Sequence, residues 1–474
     1  MDRIFKAYDI RGIYPEEINE SMFTKIGAGF VKFLRTRSDD NKSLVTTNDS
    51  IHQIKTIVVG RDMRESGVSL ANALIQGILQ SGVDVIDIGM CSTPMLYYAT
   101  AFFKADAGAM ITASHNPAKY NGIKFCREDA IPVAYDSGLS TVKEIIRSDS
   151  ICPADKPGNI MYKEIGTEYR KLLIKYSDDI KPMTVVVDAG NGVMGAFLPS
   201  LFKQIPCEFI ELYFEPDGTF PNHEANPLEA SNMRDLQAKV CELEADIGIA
   251  FDGDGDRAMY ADETGALIPA DFITALLAGE MLKRNPGAAI LYDLRSSRVV
   301  ANEITRLGGK PMKCRVGHSY IKKMMRKENA VFAGELSGHF YFKDIHFTDN
   351  AEMCMLLVLS LMSNTGKKLS ELIAPFRGKY RQSGEINFHV DKKREAIEAV
   401  KERFSCCNTI IDSADKEHEN NLSADGLSIE AADWWCNIRA SNTEPVLRLN
   451  LEADTKELLD EKLQTIEQII KKFT

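Results

Sequence analysis

Strand-like apolar runs alternate with helix-like stretches, three times over, and this pattern constrains the 474-residue chain more than any other feature. Such alternation marks α/β architecture, in which helices cover the faces of a sheet. TIVVG (56–60) reads as a strand, GVSLANALIQGILQS (67–81) as a helix and VDVIDIG (83–89) as a second strand. TPMLYYATAFFKA (93–105) reads as a helix with Pro94 at an early position and Thr93 as the expected N-cap. AGAMITA (107–113) is then a strand that runs into a polar loop. The same grammar returns in TVVVDAGNG (184–192) with the later strand ADIGIAF (245–251). It returns again in AAILYDLRSS (288–297), VVANEITRLG (299–308) and NAVFAGELSG (329–338). The spacing varies too much for a solenoid. In α/β sheets ligands gather beyond the carboxyl ends of strands, so the polar loops closing these units are where chemistry is expected.

The tail has a different pattern. GEINFHV (384–390), the helical KKREAIEAVKERF (392–404), WWCNIRAS (434–441), VLRLNLEA (446–453) and a closing helix near 455–472 predict a small α+β domain. The expected organisation is four domains: 1–155, 156–262, 263–372 and 373–474. Polar stretches at 35–50 and 413–426 read as exposed loops or insertions. A formal net charge of -11 argues against broad attraction to nucleic acid or anionic membrane, so any anionic substrate must meet local cations. The longest apolar run, CMLLVLSLM (354–362), is far short of the roughly 20 residues of a membrane span. Ten scattered cysteines without short metal-site spacing, Cys406 and Cys407 being adjacent, suit free thiols in a reducing compartment. The expectation is a cytoplasmic protein, with neither nucleic acid nor membrane as a partner, acting as a monomer or homodimer.

Four loops carry candidate chemistry. Thr112-Ala113-Ser114-His115-Asn116-Pro117 follows an apolar strand, and Pro117 favours a turn that presents the Ser114 hydroxyl. A serine needs activation or a strongly electrophilic acceptor to act as nucleophile. His115 is either a turn residue or a phosphate donor, and Lys124 is either a solvated lysine or a cation or proton acceptor beside a reacting phosphate. Asp252-Gly253-Asp254-Gly255-Asp256-Arg257 spaces three carboxylates by glycines. Such a cluster can converge on one hard cation and would repel itself without one. Counting from Asp252, Glu263 falls at position 12 of an EF-hand, a calcium-binding alternative. Arg257 stands where that loop requires glycine, however, and the preceding run is strand-like. Arg257 would instead set a guanidinium beside metal and phosphate. Gly334-Glu335-Leu336-Ser337-Gly338-His339 offers hydrogen-bonding groups suited to sugar hydroxyls or to an ordinary turn, with His318 just upstream. Arg439-Ala440-Ser441-Asn442-Thr443-Glu444-Pro445 is a good anion cradle, or a hydrogen-bonded turn. Tyr8-Asp9-Ile10-Arg11-Gly12 adds a cation that could equally be a structural ion pair.

In order, KAYDIRG, TASHNP, DGDGDR, GELSGH and RASNTEP resemble the motifs of the α-D-phosphohexomutase family, specifically its bacterial phosphomannomutase/phosphoglucomutase group. The likeness runs from residue 6 to residue 445. It implies four domains around a central cleft: three similar α/β units with mixed sheets, and a C-terminal α+β domain related to TATA-binding proteins. It implies that Ser114 is a phosphoserine and that Asp252, Asp254 and Asp256 hold Mg²⁺ together with a phosphoserine oxygen. Glu335 and Ser337 would contact sugar hydroxyls, and Arg439, Ser441, Asn442 and Thr443 would hold the non-reacting phosphate. Tyr8, Arg11, His115, Lys124, Arg257, His318 and His339 would line the cleft. Arg295, in YDLRSS, stands where many relatives of that family have lysine, a planar fork in place of a point charge. The implied activity interconverts hexose 1-phosphate and hexose 6-phosphate, of mannose or glucose, through a hexose 1,6-bisphosphate that turns around. Lys124 is the expected acceptor of the hydroxyl proton. The rivals are a phosphoglucosamine mutase, a serine-based phosphatase and the calcium module.

Overall fold

A computed structural model describes residues 1–36, 53–148, 150–177, 179–405, 409–411, 426–440 and 446–473. The expected polar insertions lie almost wholly outside these residues, as do Cys406, Cys407, Ser441, Asn442 and Thr443. The described chain forms two compact units. One comprises Met1–Ile268 with Ser337–Ser370, the other Pro269–Leu336 with Glu371–Thr474.

The first unit contains a six-stranded mixed sheet. Its strands are β1 (Ile10–Ile13), β2 (Thr56–Arg61), β3 (Asp84–Met90), β4 (Ala107–Ile111), β5 (Tyr120–Arg127) and β6 (Ile160–Tyr162), in the order β1-β5-β4-β2-β3-β6. β2 runs parallel to β3 and β4, whereas β5 is antiparallel to β4 and β1. β4 is buried at every position, which is why it reads as a continuous apolar run and not as an alternating one. Side chains alternate between faces along a strand. Ile57, Val59, Ala107, Ala109, Ile111, Ile123 and Phe125 therefore join one core with Phe23, Phe30, Leu70, Leu74 and Ile78 of the helices Glu20–Thr36 and Gly67–Gln80. The helix Thr93–Phe102 is capped by Ser92, whose hydroxyl accepts the Met95 N–H, and not by Thr93. Thr93 is the first helical residue, which frees its hydroxyl for the site described below.

A second sheet repeats the plan. β7 (Thr184–Asp188), β8 (Glu208–Leu212), β9 (Ile247–Phe251), β10 (Ala258–Asp262) and β11 (Leu267–Ile268) are ordered β11-β10-β9-β7-β8. β7 is parallel to β8 and β9, and β9 turns back antiparallel into β10. In both sheets a buried strand thus ends in a polar loop that returns along an antiparallel neighbour: residues 112–119 after β4 and 252–257 after β9. The strand before Asp252 and the strand after Arg257 remove the EF-hand alternative, which requires helices there.

The rest of the first unit is a short antiparallel pair, β12 (Phe340–Phe342) and β13 (Thr348–Asp349), followed by the helix Ala351–Thr365. That helix is buried for most of its length, which accounts for the apolar run 354–362. No helix of the described residues is long and apolar enough to cross a membrane. In the second unit the strand Ala289–Asp293 lies parallel to both Lys310–Cys314 and Phe332–Gly334. A five-stranded antiparallel sheet follows, built from Arg381–His389, Thr409–Ile411, Leu427–Glu430, Trp434–Ala440 and Val446–Ala453. Its Ile438, Leu447, Leu449 and Leu451 share a core with Ala396, Val400, Leu459, Ile466 and Ile470 of two covering helices.

Candidate active site and metal centre

Within the first unit, the loops after β4 and β9 meet. Ser114 Oγ donates to Asp252 Oδ2 at 2.7 Å and lies 3.2 Å from His115 Nδ1. Ser114 is 1% exposed and sits at φ 50°, in the left-handed region that non-glycine residues seldom adopt. Its N–H is held by the Thr112 hydroxyl at 2.8 Å. The approach needs Gly253, because a Cβ there would come within 2.7 Å of the Ser114 carbonyl oxygen. Asp252 Oδ1 accepts the N–H groups of Asp256 and Arg257, both at 3.1 Å, and so closes the acidic loop on itself. Gly255, at φ 70°, supplies the turn.

One carboxylate oxygen from each of Asp252, Asp254 and Asp256 lies within 4.8 Å of the others, and all three residues are buried. Lys124 projects from β5 into this cluster, with Nζ 2.6 Å from Asp254 Oδ2 and 2.5 Å from Asp256 Oδ2. Burial opposes its charge, but Asp254 and Asp256 outweigh that cost and hold the ammonium well above the ordinary lysine range. Lys124 is therefore a bound cation in this arrangement, and it must release its proton before it could be the acceptor expected from the sequence. Burial and the repulsion of Asp256 and Asp254 push the Asp252 carboxyl well up. Asp256 is buried too, yet Lys124, His339 and Arg257 hold it well below the usual carboxylate range. His115 is kept neutral by burial and by the charges of Arg257 and Arg11.

Asp254 Oδ1 is buried with no hydrogen-bond partner among the described residues. An orphaned carboxylate oxygen facing two more carboxylates is a donor set for a hard divalent cation, because Mg²⁺ takes oxygen ligands and few protein groups. The residues present fit such an ion.

Around this centre, Arg257 Nε lies 3.1 Å from His339 Nε2, which is itself 3.2 Å from Asp256 Oδ1, and Ser337 Oγ lies 3.2 Å from His339 Nδ1. Arg11 reaches the serine loop through Asn116 Oδ1 at 2.7 Å while pairing with Asp9 at 2.5 Å, so both sequence readings of that arginine have a physical basis. Tyr8 sits partly buried just before β1. In the second unit, Glu335 is buried and accepts the Gly317 N–H at 2.9 Å, just before His318 opens the helix His318–Glu328. Arg295 folds back on Asp293 at 2.7 Å, and Arg439 pairs with Glu385 at 2.6 Å.

Several residues at the site were not picked out by sequence reasoning. The Thr93 hydroxyl donates to Asp254 Oδ2 at 2.6 Å and its N–H to the Asp254 carbonyl at 2.9 Å. Next to it, Ser92 Oγ donates to Glu352 at 3.2 Å, and burial pushes this fully enclosed carboxyl up to about 8. Asp62 and Arg64 underlie the serine loop. The one available signal was the charged GRDMR (60–64), which overlaps the carboxyl end of β2.

Models of the phosphoglucomutase/phosphomannomutase family match nearly the whole chain. Alpha/beta/alpha domain I covers residues 2–150, domain II 167–265, domain III 269–380 and the C-terminal domain 385–468. A phosphomannomutase of Escherichia coli K12 is 38% identical across 95% of this chain and 94% of its own length. This chain belongs to the phosphoglucomutase/phosphomannomutase family. Among other members, a Vibrio cholerae phosphomannomutase is 37% identical over 99% of this chain and 98% of that protein. The crystal structure of a phosphoglucomutase/phosphomannomutase family protein from Burkholderia thailandensis superposes with a TM-score of 0.86 at 31% identity, covering 99% and 97% of the two chains. Parafusin, a phosphoglucomutase of Paramecium, shares the fold with a TM-score of 0.79 at 16% identity, covering 99% of this chain and 95% of its own. The four-domain organisation of this family, three α/β domains and a C-terminal sheet domain, is that of this chain.

Proposed function

We propose that this protein is a phosphohexomutase that interconverts hexose 1-phosphate and hexose 6-phosphate, of mannose or glucose, with Ser114 as the phosphate carrier. One observation carries the reading: a serine hydroxyl 2.7 Å from a carboxylate of a buried triple-aspartate cluster. A hydroxyl in that place, once phosphorylated, shares the cluster with a cation. Family membership supplies the class of reaction. We infer a reducing, cytoplasmic setting from the eight free cysteines among the described residues.

Phosphoryl transfer asks the protein for in-line placement and charge neutralisation more than for covalent chemistry. Asp252, Asp254 and Asp256 would hold Mg²⁺, which when bound withdraws charge from the transferring phosphoryl group. Lys124 and Arg257 add fixed positive charge beside it. The bond from phosphorus to Ser114 Oγ breaks as the bond to the sugar hydroxyl oxygen forms; the hydroxyl proton would pass to Lys124 once that lysine has given up its own, and the freed Ser114 Oγ takes up a proton in turn. In the reverse half-reaction phosphorus returns to Ser114 Oγ, and the proton that Ser114 gives up balances the one regained by the departing sugar oxygen; the hydrogen bond to Asp252 keeps Oγ aimed at the cluster between turnovers. Glu335 and Ser337 would grip the sugar hydroxyls. Arg439, with Ser441, Asn442 and Thr443, would bind the phosphate that is not transferred, while Tyr8, Arg11, Arg295, His115, His318 and His339 complete the binding groups. A single carrier serving two sugar positions requires a hexose 1,6-bisphosphate that turns around between half-reactions.

The decisive experiment is a coupled assay with mannose, glucose and glucosamine 1-phosphates, Mg²⁺ and a trace of bisphosphorylated sugar, run on wild type and Ser114→Ala. The expected result is turnover in wild type, none in the folded variant, and loss of one covalent phosphate by intact mass. Release of inorganic phosphate in place of the isomeric sugar phosphate, or near-normal turnover in Ser114→Ala, would overturn the reading.

A further inference from the structure

Arg64 is one of the largest fully buried side chains of the protein, 1% exposed, and it lies directly beneath the serine loop. Its guanidinium has five N–H groups in a fixed planar fork. Nη2 donates to the carbonyls of Ser114 at 2.8 Å and Asn116 at 2.5 Å. Nη1 donates to those of Pro117 and Tyr120, both at 2.9 Å. Nε donates to Asp62 Oδ2 at 3.2 Å, and Asp62 Oδ1 in turn accepts the Arg64 backbone N–H at 3.0 Å. All five directions of the fork are used. The Phe220 ring lies 5.2 Å from the guanidinium carbon, and Gly218 packs on the Arg64 backbone, where a Cβ would come within 2.7 Å of its Cα.

Four carbonyls turned inward onto one cation leave the Ser114 side chain turned outward, toward Asp252. Ser114 must hold a positive φ to do so, a conformation unfavourable for a non-glycine residue that persists only when its surroundings over-determine it. The other contacts of the loop are single ones: Arg11 donates to the Asn116 side chain at 2.7 Å and Ser114 Oγ to Asp252 at 2.7 Å, whereas Arg64 gathers four of its carbonyls. Thr112 accepts the one N–H of Ser114, and Asn116 N–H reaches the Ala113 carbonyl at 3.0 Å. Lysine could not replace the fork, since three tetrahedral N–H groups cannot meet four carbonyls and a carboxylate lying around one plane.

The geometry points to Arg64 as the positioning residue of the phosphoserine loop, fixing Ser114 Oγ for transfer without touching substrate, metal or the reacting atoms. This rests on the mutase reading, and a misplacement of the carrier oxygen by about 1 Å is enough to cost on the order of 100-fold in rate.

The test is single-turnover transfer from phosphorylated enzyme to hexose 1-phosphate, followed by intact mass, in wild type, Arg64→Lys and Asp62→Asn. A rate constant, unlike an amplitude, does not depend on the fraction of folded enzyme. Arg64→Lys should lower the rate constant about 100-fold, with KM for the sugar phosphate and the Mg²⁺ titration little changed. Asp62→Asn keeps the shape and should lose a smaller factor, which decides the matter should Arg64→Lys fail to fold. Rate constants within twofold of wild type, with only the amplitude reduced, would overturn the proposal. Hydrogen exchange over residues 112–122 provides an arm independent of activity. Exchange at least tenfold faster in Arg64→Lys supports the clamp even if wild type transfers no phosphate and the mutase reading itself falls. Unchanged exchange counts against it.

Discussion

Replacing Glu352 with glutamine should make the metal-free protein more stable at pH 8 and leave it nearly unchanged at pH 5. Glu352 opens the buried helix Ala351–Thr365, is fully enclosed, and meets Ser92 at 3.2 Å and the Tyr169 hydroxyl. Burial raises its folded pKa to about 8 from an ordinary value of 4.5. A carboxyl raised in the folded state adds stability that is complete below its unfolded pKa and is lost as pH climbs through the folded one. The window is therefore pH 4.5 to 8. At about 1.4 kcal/mol per unit, the loss between pH 5 and pH 8 comes to about 3–4 kcal/mol. Glutamine keeps the shape and an acceptor for Ser92 but has no proton to lose, so this share of the pH slope disappears. Other groups titrate alike in both proteins and cancel. Scanning calorimetry in the presence of a chelator should find the two melting temperatures close at pH 5. At pH 8 Glu352→Gln should melt several degrees higher: the shift is about 2–4 °C per kcal/mol for 150–250 residues and somewhat less for the larger unit that holds Glu352. Parallel pH slopes for wild type and variant would refute the argument, since they would mean that Glu352 ionises in the folded protein as it does in the unfolded chain.

Asp254→Asn should raise the Mg²⁺ concentration for half-maximal activity by about tenfold or more, because it removes a charged donor whose Oδ1 has no partner among the described residues; an unchanged metal titration would exclude the proposed ligation. Arg439→Ala removes a charge-assisted contact worth about 1.5–3 kcal/mol, so KM for the hexose phosphate should rise about 10- to 150-fold with kcat largely kept. An unaltered KM would remove Arg439 from the phosphate site.

The strands of this protein were legible because burial on both faces leaves an unbroken apolar run, as in Ala107–Ile111 and Ile247–Phe251. The serine and aspartate loops were legible because each follows such a run at the end where ligands gather. Asp252, Asp254 and Asp256 were legible as one carboxylate group, because glycine spacing and like charge are visible locally, and the structure brings the three buried side chains together. Sequence could not supply the neighbours that decide how those groups titrate. Lys124 lies more than a hundred residues from the carboxylates it touches, and on a strand it is one lysine among many. Thr93 was misread as a cap because Ser92 and Thr93 are both good capping residues, and only the helix geometry assigns Ser92 to the cap and Thr93 to Asp254. Arg64 carried no motif of its own, since its partners are backbone carbonyls and any sequence has those.

Charge within the centre explains why a cation and a phosphate belong together on the proposed reading. Asp252, Asp254 and Asp256 bring three negative charges when ionised, Lys124 and Arg257 return two, and His339 beside Asp256 adds to the positive side when protonated. His115 is neutral and leaves that balance alone. The cluster is thus near neutrality, the raised Asp252 carboxyl being the group that relieves the remaining repulsion by holding a proton. A divalent cation alone would carry the balance past zero, and a dianionic phosphoserine alone would drive it far the other way. Arriving together they cancel, so each is the other's best counter-charge in a site that excludes water. The phosphorylated enzyme should then hold Mg²⁺ more tightly than the dephosphorylated one, and by reciprocity Mg²⁺ should favour retention of the phosphate on Ser114.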